Sequence, residues 1–240
     1  MAKEEKSKWR NYVEYIYAVG MRPHTIYPSL LGKWLLDNVY KIPGKIADFG
    51  CGRGDYLDVF KSLGFTSFGL DISSSITNIK THPVKQVDFT KDNPPYVEEK
   101  FDFVFSKSVI EHLHDPTPFL SGMYESLEPG GVAVVMTPSW AHTYWGPFYI
   151  DYTHVTPFTR YSLRAGMEMA GFKGVTVKCF YQLPFLWKYP FLTPLIKLIS
   201  KIPFPYAPYN DVPWNPDSKF NKFVRFSKEP MLMAIGTRFE

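Results

Sequence analysis

Short apolar runs alternate with amphipathic stretches over most of the chain. The apolar runs predict seven strands, at residues 45–49, 67–71, 84–89, 101–106, 132–136, 175–180 and 231–237. The stretches between them predict helices at residues 55–63, 73–80 and 161–170, and one capped by Thr117 that has Pro118 at its first position and stops at residues 129–131. Strands that alternate with helices favour a parallel sheet covered on both faces. We therefore predict an α/β fold, a three-layer sandwich around a seven-stranded, mostly parallel sheet.

Two segments lie outside this alternation. Between Trp9 and Tyr40, two helical patterns broken near residues 20–23 predict an N-terminal helical cap. About fifty residues separate the last two predicted strands, and this stretch is rich in aromatic residues and proline. We predict a single domain whose parts are a cap, a cofactor-binding core, an insertion and the last strand, at residues 1–43, 44–180, 181–228 and 229–240. The cap and the insertion are expected to close over the pocket.

The insertion contains one amphipathic pattern. A helix is predicted to begin at Thr193 and to stop at Pro203, and one of its sides is apolar: Leu192, Leu195, Ile196, Leu198, Ile199 and Ile202. Residues 184–210 include three lysines and no acidic residue. Three alternatives are open: a lid on its own domain, a homodimer surface, and peripheral contact of residues 191–209 with a membrane or a lipid-linked acceptor. The expected oligomeric state is accordingly a monomer or a homodimer.

Composition narrows the class of protein. The chain has 240 residues, of which 45% are hydrophobic and 21% charged, values that exclude wholesale disorder and suit one domain. No apolar run approaches the roughly 18 residues of a membrane-spanning helix. Cys51 and Cys179 are the two cysteines, which favours a reducing cytoplasm over a disulfide framework. The net charge of +4 with both signs mixed is weak evidence for nucleic-acid binding, and we expect no DNA partner.

A glycine-rich loop follows the first predicted strand. The run DFGCGRG at residues 48–54 lets the backbone turn sharply and approach a ligand closely. Asp71 ends the second strand, where a carboxylate can accept hydrogen bonds from a ribose diol. The spacing differs from that of phosphate-binding P-loops and from GxGxxG, which disfavours nucleoside triphosphates and nicotinamide dinucleotides. The loop and Asp71 together predict a nucleoside-type cofactor, with a plain tight turn as the alternative.

These motifs resemble those of the class I S-adenosylmethionine-dependent methyltransferases, over residues 44–180. The resemblance implies a Rossmann-like sheet with an antiparallel seventh strand, and S-adenosyl-L-methionine as cofactor. It implies that the first motif lies at residues 48–54, the ribose acid at the end of strand two, an adenine-binding pair after strand three, and a methionine-binding stretch after strand four. The implied cofactor residues are Asp48, Gly50, Cys51, Gly52, Asp71, Ile72, Asp88, Phe89 and Ser106.

Two further motifs indicate which class of acceptor is methylated. The run VIEHLHDP at residues 109–116 resembles the EHLxDP run of a branch that contains quinone, sugar and other small-molecule methyltransferases. The run DYTHV at residues 151–155, before a helix and a Gly-Phe pair, resembles methyltransferases of polysaccharide assembly. The resemblance therefore implies O-methylation of a sugar or glycan-type small acceptor. Alternatives are a quinone, phenol or lipid-linked acceptor, RNA 2′-O-methylation, and a non-catalytic nucleoside-binding module.

The candidate catalytic residue is His154, because histidine titrates near neutral pH and suits general-base work. A hydroxyl acceptor gains from losing its proton as the methyl group arrives. Glu111, His112 and Asp151 are predicted to support this base, and the alternative is that they are structural. Four side chains of the loop have two alternatives, lining the acceptor site or packing within the loop: His142, Tyr144, Trp145 and Tyr149.

A metal is considered for the same residues. Glu111, His112 and His154 resemble ligands of small-RNA 3′-end 2′-O-methyltransferases, which hold Mg²⁺ with two glutamates and two histidines. The position of the first of those glutamates is Ser108 in this chain. One hard oxygen ligand is thereby lost, so we predict that no metal is used, and the alternative of RNA as the acceptor is disfavoured.

Overall fold

The computed structural model describes residues 24–239 of the chain. Its sheet has seven strands in the order β3-β2-β1-β4-β5-β7-β6, and β7 is antiparallel to both of its neighbours. The strands are β1 (Lys45–Phe49), β2 (Thr66–Asp71), β3 (Val84–Gln86), β4 (Phe101–Lys107), β5 (Leu127–Pro138), β6 (Lys173–Phe180) and β7 (Met231–Thr237). The predicted sheet and its antiparallel last strand are confirmed.

The helices lie between the strands and in the insertion. They are α1 (Tyr27–Leu35), α2 (Asp55–Ser62), α3 (Thr117–Glu125), α4 (Trp140–Thr143), α5 (Arg160–Met169), α6 (Pro184–Lys188), α7 (Thr193–Ile199) and α8 (Lys219–Lys228). A π-helical turn, Leu36–Tyr40, continues α1. Short 3₁₀ turns lie at Ser74–Asn78, Ile110–His112, Pro147–Ile150 and Pro190–Leu192. None of the helices within residues 24–239 is long and apolar enough to cross a bilayer.

Alternation along the strands builds two cores, one on each face of the sheet. In β4, Phe103 and Phe105 pack on the side of α1 and α2, whereas Val104 packs on the side of α3 and α5. Strand β5 follows the same rule with Val134 on the first face and Val135 on the second. Successive side chains of a strand point to opposite faces, so a strand buried on both sides is apolar throughout. The three-layer sandwich is therefore confirmed.

Several predicted boundaries move. Strand β3 ends at Gln86 instead of residue 89, because the chain turns there and the Asp88 N–H donates to the Asp92 carboxylate. Helix α3 begins with Thr117 already inside it, so Thr117 is not its cap; the Asp115 carboxylate accepts the Thr117 N–H instead. The run at residues 129–131 does not stop this helix, which ends at Glu125, and instead belongs to β5.

The predicted cap and the insertion differ in their placement from what the sequence indicates. The first helical pattern of the predicted cap lies outside the described residues, and the second corresponds to α1, which packs against one face of the sheet through Leu31 and Leu35. Helix α7 begins at Thr193 as predicted but ends at Ile199, before Pro203. The insertion also contains α8, which the sequence did not reveal. Its buried Asn221 amide donates to the carbonyls of Ala207 and Pro216 and fixes the long loop before it.

Candidate active site

The strand ends and the insertion enclose one cavity of about 1460 Å³. It lies at the carboxyl ends of the parallel strands, the edge at which open α/β sheets bind ligands. Three segments after β1, β4 and β5 line it, at residues 48–56, 107–115 and 147–155. The insertion adds a fourth wall near residues 225–231, whereas residues 27–40 of the predicted cap line none of the cavity.

The glycine loop is fixed to the neighbouring strand. The backbone N–H groups of Gly50 and Cys51 both donate to the Leu70 carbonyl, at 2.7 and 3.0 Å. Gly50 has φ of +88°, and a Cβ atom there would lie 2.1 Å from Cγ2 of Val109. Only glycine fits this position, since a side chain would be strained and would also collide with Val109. The Cys51 thiol is buried, which raises its pKa, so the residue serves the loop through its backbone.

Two buried carboxylates lie beside this loop. Asp71 accepts hydrogen bonds from the N–H groups of Gly52 and Ser73, at 2.8 and 2.9 Å. A carboxylate has about four acceptor sites, so these bonds leave capacity for a ligand hydroxyl. Asp48 is also buried, and its Oδ2 accepts no hydrogen bond from residues 24–239. Burial and the charge of Asp71 raise the pKa of Asp48 well above its usual range, which favours the protonated form of this carboxyl group.

The remaining predicted cofactor residues divide into two groups. Ile72, Asp88 and Phe89 line the cavity, although Asp88 already accepts hydrogen bonds from Thr90 and Lys91. Burial alone would raise the pKa of Asp88, but these bonds outweigh it and hold the pKa below its usual value. Ser106 lies behind the wall, where its hydroxyl donates to the Phe49 carbonyl at 2.8 Å.

The neighbours of Ser106 in sequence, Lys107 and Ser108, are the residues that line the cavity after β4. The Lys107 charge lowers the pKa values of both Asp48 and Glu111, so this cation connects the cofactor side of the cavity with the catalytic candidates. A pattern of alternating side chains along β4 could have revealed it, because Ser106 and Lys107 must point in opposite directions.

His154 adopts a defined tautomer on the wall of the cavity. Its Nδ1 atom lies 2.6 Å from the Phe148 carbonyl oxygen. A carbonyl only accepts, so Nδ1 carries the proton and the neutral ring has its lone pair on Nε2. The Nε2 atom lies 4.0 Å from Oε1 of Glu111. This is the protonation state that a general base needs.

The other two predicted catalytic residues form a chain of hydrogen bonds. The Thr153 hydroxyl donates to Asp151 at 2.6 Å and lies 2.8 Å from Nδ1 of His112. Because the hydroxyl proton is used in the hydrogen bond to Asp151, the hydroxyl oxygen accepts a hydrogen bond from the Nδ1–H group of His112. The His112 and His154 rings then meet edge to face, with centroids 4.8 Å apart. The four predicted catalytic residues are therefore brought together in the structure.

Glu111 is the most unusual carboxylate of the site. It has no exposed surface; its Oε2 accepts from the Thr137 hydroxyl at 2.9 Å, and its Oε1 has no hydrogen-bond donor within residues 24–239. Burial raises the pKa of Glu111 to about 7, against the lowering effects of the Thr137 bond and the Lys107 charge. The Glu111 carbonyl accepts the N–H groups of Val155 and Thr156 and so ties the His154 loop to this segment.

The aromatic residues expected beside the acceptor lie elsewhere. Neither His142 nor Tyr144, Trp145 or Tyr149 lines the cavity. Nδ1 of His142 is hydrogen-bonded to the Ser139 hydroxyl, and the Trp145 ring packs edge-on against the ring of Tyr209 in the insertion. The cavity is lined instead by Thr143, Pro147, Phe148 and Ile150, the neighbours of the predicted residues. The lining of the cavity therefore gives no support to the expectation that these four side chains lie beside the acceptor.

The insertion supplies polar groups that the sequence did not identify. Arg225 and Glu229, one turn apart at the end of α8, form an ion pair of 2.9 Å on the wall. The second oxygen of Glu229 is buried and accepts no hydrogen bond from the described part of the chain. Gln182 and Phe226 lie beside them. These residues reach the site only because the insertion folds back, which no local pattern indicates.

One group of side chains has the donors of a metal site. The ligand atoms of Glu111, His112 and His154 lie within 4.8 Å of one another, and residues 24–239 contain no second such group. Two imidazoles and one carboxylate suit a divalent transition metal. Ser108, which has φ of +60°, occupies the place of the oxygen ligand that the family pattern would require. The prediction that no metal is used stays a prediction.

The sheet order, the glycine loop and the acidic end of β2 define the fold of class I S-adenosylmethionine-dependent methyltransferases. Residues 27–177 match the family described as a methyltransferase domain, and the chain belongs to this family. Its cofactor is S-adenosylmethionine, for which the buried acceptors at Asp48 and Asp71 fit the cationic and hydroxyl groups.

Known proteins agree with this assignment. The chain is 32% identical over 100 residues to a ubiquinone biosynthesis O-methyltransferase of Brucella anthropi and 35% identical over 99 residues to one of Bradyrhizobium. These matches cover 39% of the chain and 40% or 39% of the relatives, so the chain spans about two-fifths of their length.

Solved structures share the fold. A Burkholderia thailandensis 1,6-didemethyltoxoflavin-N1-methyltransferase has a TM-score of 0.61 at 14% identity, covering 99% of this chain and 90% of the other. A SAM-dependent methyltransferase from Archaeoglobus fulgidus has a TM-score of 0.56 at 21% identity, covering 88% and 94%. At these identities the likeness is one of fold.

Proposed function

We propose that this protein transfers the methyl group of S-adenosylmethionine to a phenolic hydroxyl of an apolar, quinone-type acceptor. The sugar acceptor that the sequence favoured has no support from the comparisons, whereas the two curated relatives are named for ubiquinone biosynthesis. The observation that carries the proposal is the pairing of His154 with a fully buried Glu111 on the cavity wall.

The cofactor half of the cavity would be formed by the glycine loop and the two acids. Asp71 would accept from the ribose diol, and the unsatisfied Oδ2 of Asp48 would face a positive or donor group of the cofactor. S-adenosylmethionine supplies a methyl group activated by a sulfonium. Charge is lost as this cation is attacked by an oxygen, so water exclusion and alignment by the walls would contribute most of the rate.

His154 would act as the general base. An acceptor hydroxyl that donates to Nε2 gives up its proton there as the carbon–oxygen bond forms, and the ring becomes an imidazolium. The carboxylate of Glu111, 4.0 Å away, would stabilise that charge. His112, held by Thr153 and Asp151, would fix the orientation of the His154 ring through their edge-to-face contact.

Acidity favours a phenol over a sugar as the partner of this base. A phenol such as tyrosine has a pKa of about 10 and imidazole one of about 6.5, so proton transfer from a phenol to His154 is uphill by about 3.5 units. An aliphatic hydroxyl resembles water, with a pKa of about 15.7, and the same transfer is uphill by about 9 units. The walls agree with an aromatic acceptor, since Phe148, Phe226 and Met231 supply apolar surface.

An acceptor panel tests the proposal. Purified full-length protein is incubated with radiolabelled S-adenosylmethionine and, separately, a catechol-type quinol with a short isoprenoid tail, nucleotide sugars and a short RNA. We expect label in the quinol alone, at one ring hydroxyl. Label in a sugar or in the RNA would overturn the choice of acceptor. Calorimetric binding of S-adenosylhomocysteine without turnover of any acceptor would instead identify a nucleoside-binding module.

A further inference from the structure

The insertion exposes a series of large apolar side chains on α7 and at its two ends. The series is formed by side chains that are each at least 44% exposed, and we refer to it as the α7 patch: Phe191 (75%), Leu195 (52%), Leu198 (63%), Ile202 (44%) and Phe204 (48%). The opposite side of α7 is anchored, because Ile196 is buried in a small core with Leu183 and Leu186. The helix is thus held by Ile196, with Leu192 and Ile199 packed beside it, whereas Leu195, Leu198 and Ile202 are exposed. Exposed apolar patches of this kind mark interaction sites.

The charged side chains of the segment that carries the α7 patch are all basic. Lys188, Lys197 and Lys201 are exposed beside it, and residues 184–210 contain no Asp or Glu. Lys228 adds a fourth amine, whose ammonium donates to the carbonyls of Ser200 and Ile202 at the end of the helix. A basic rim around aromatic and aliphatic side chains is complementary to an anionic lipid surface. A second copy of the chain fits less well, since a two-fold interface would bring the lysines of both copies together.

The α7 patch is also close to the cavity through the fold of the insertion. Phe226 of α8 packs on the small core beneath α7 and at the same time lines the cavity. The small core around Ile196 is therefore connected, through Phe226, to the wall that carries Arg225 and Glu229. An acceptor with an apolar tail could reach the cavity along this connection without full exposure to water.

We propose that the α7 patch docks the protein on the surface of an anionic phospholipid bilayer, from which the acceptor is taken. The attachment is peripheral and reversible, because α7 has only seven residues and five side chains are available to enter the interface. Delivery of the acceptor from the bilayer rests on the proposed function, whereas bilayer attachment does not.

Vesicle cosedimentation tests the docking directly. Full-length protein is mixed with sucrose-loaded vesicles of phosphatidylcholine alone, or with one part in three of phosphatidylglycerol. We expect at least about tenfold tighter binding to the anionic vesicles, reduced by high salt. Replacing Leu195→Ser and Leu198→Ser together should weaken binding by about tenfold or more, as should Lys197→Gln with Lys201→Gln.

A matched control lies on another helix. Met169→Ser removes an apolar side chain that is 83% exposed on α5, and vesicle binding should be unchanged. Every variant must keep its circular dichroism and its affinity for S-adenosylhomocysteine, so that loss of binding is not loss of folding. Equal binding to neutral and anionic vesicles, or full binding by the leucine double variant, would overturn the proposal.

Three further outcomes are informative. A dimer that the Leu195→Ser and Leu198→Ser variant abolishes, together with no vesicle binding, would assign the α7 patch to self-association and overturn bilayer docking. Failure of vesicle binding while the quinol is still methylated would refute docking alone. Vesicle binding without methylation of the quinol would refute the proposed function alone.

Discussion

The Nε2 atom of His154 lies 4.0 Å from Oε1 of Glu111, an oxygen that has no solvent exposure and no hydrogen-bond donor within residues 24–239. The distance is slightly beyond a hydrogen bond and within the range of a strong charge interaction in a buried site. The pair is therefore arranged to respond when the imidazole gains a proton.

Replacement of the base should separate chemistry from cofactor binding. We expect His154→Ala to lower kcat by about 10² to 10⁴-fold, since a positioned general base contributes this much. The Kd for S-adenosylhomocysteine, measured by calorimetry, should change less than about twofold, since the glycine loop and Asp71 lie elsewhere on the wall. His142→Ala is the matched control, because this histidine does not line the cavity and should leave kcat unchanged. Equal kcat values for the two variants would eliminate His154 as the base.

Glu111 should make the stability of the protein depend on pH. Its pKa in the folded protein is about 7, above the ordinary 4.5, so the folded state binds more protons than the unfolded state between these values. Stability therefore falls as the pH rises through this window, by about 3 kcal/mol for one group shifted by about 2.5 units. Glu111→Gln cannot ionise and should unfold at the same urea concentration as the wild type near pH 4.5, and at a higher one above pH 7.

The difference between the two proteins isolates Glu111, because all other titrations cancel. Glu98→Gln, at an exposed position, is the control and should show no pH-dependent difference. If the difference in free energy of unfolding between Glu111→Gln and wild type does not change with pH, the carboxyl group is not titrating in this window. The same variant should have reduced kcat, because the imidazolium loses its neighbouring charge.

Asp71 should contribute to cofactor affinity through hydrogen bonds to a charged group, which are worth about 1.5 to 3 kcal/mol each. Asp71→Asn retains the size of the side chain and loses the charge, so we expect the Kd for S-adenosylhomocysteine to rise about tenfold to a hundredfold. Asp211→Asn, which changes an exposed acid of the insertion, should leave that Kd unchanged. Wild-type affinity in Asp71→Asn would remove the ribose contact from the description of the site.

The ion pair of the insertion should act on the acceptor and not on the cofactor. Glu229→Gln keeps an oxygen for Arg225 but removes the negative charge of a side chain that lines the cavity. We expect KM for the acceptor to rise several-fold with the Kd of S-adenosylhomocysteine unchanged. If only the Kd for S-adenosylhomocysteine changed, Arg225 and Glu229 would belong to the cofactor half of the cavity and not to the acceptor half.

Chelation tests the metal prediction. Because Ser108 stands where a fourth ligand is required, turnover should be unchanged after dialysis against EDTA and after addition of Mg²⁺. Loss of turnover that Mg²⁺ or another divalent cation restores would show that Glu111, His112 and His154 bind a metal.

The sequence was sufficient where local rules decide the structure. Strands β1 and β7 have the predicted bounds, because each is an apolar run ended by turn residues. Long-range pairing decided other boundaries. Residues 129–131 have the composition of a helix stop, yet Gly130 and Gly131 pair with Arg238 across the sheet and extend β5. Tertiary contacts of this kind override local propensity.

The candidate site shows the same division. The acid and base residues could be predicted because they lie in short motifs at strand ends, and alternation along β4 could have revealed Lys107, whereas Arg225 and Glu229 could not be predicted. Helix α8 is rich in lysine, and its sequence is typical of a solvated segment. Burial of Asn221 and Val224 against the rest of the insertion decides its place on the cavity wall. The acceptor wall is therefore the least predictable part of the site, because it is assembled from residues far apart in the chain.

Gly50 and Val109 interlock, since the Val109 side chain occupies the space that a Cβ atom at residue 50 would take. Val109 immediately precedes the turn that carries Glu111 and His112. A displacement of the glycine loop would therefore push on the turn that carries Glu111. Substitutions that alter binding of the nucleoside must therefore leave the turn with Glu111 and His112 in place. The cofactor-binding residues and the residues that transfer the proton would have to change together in evolution.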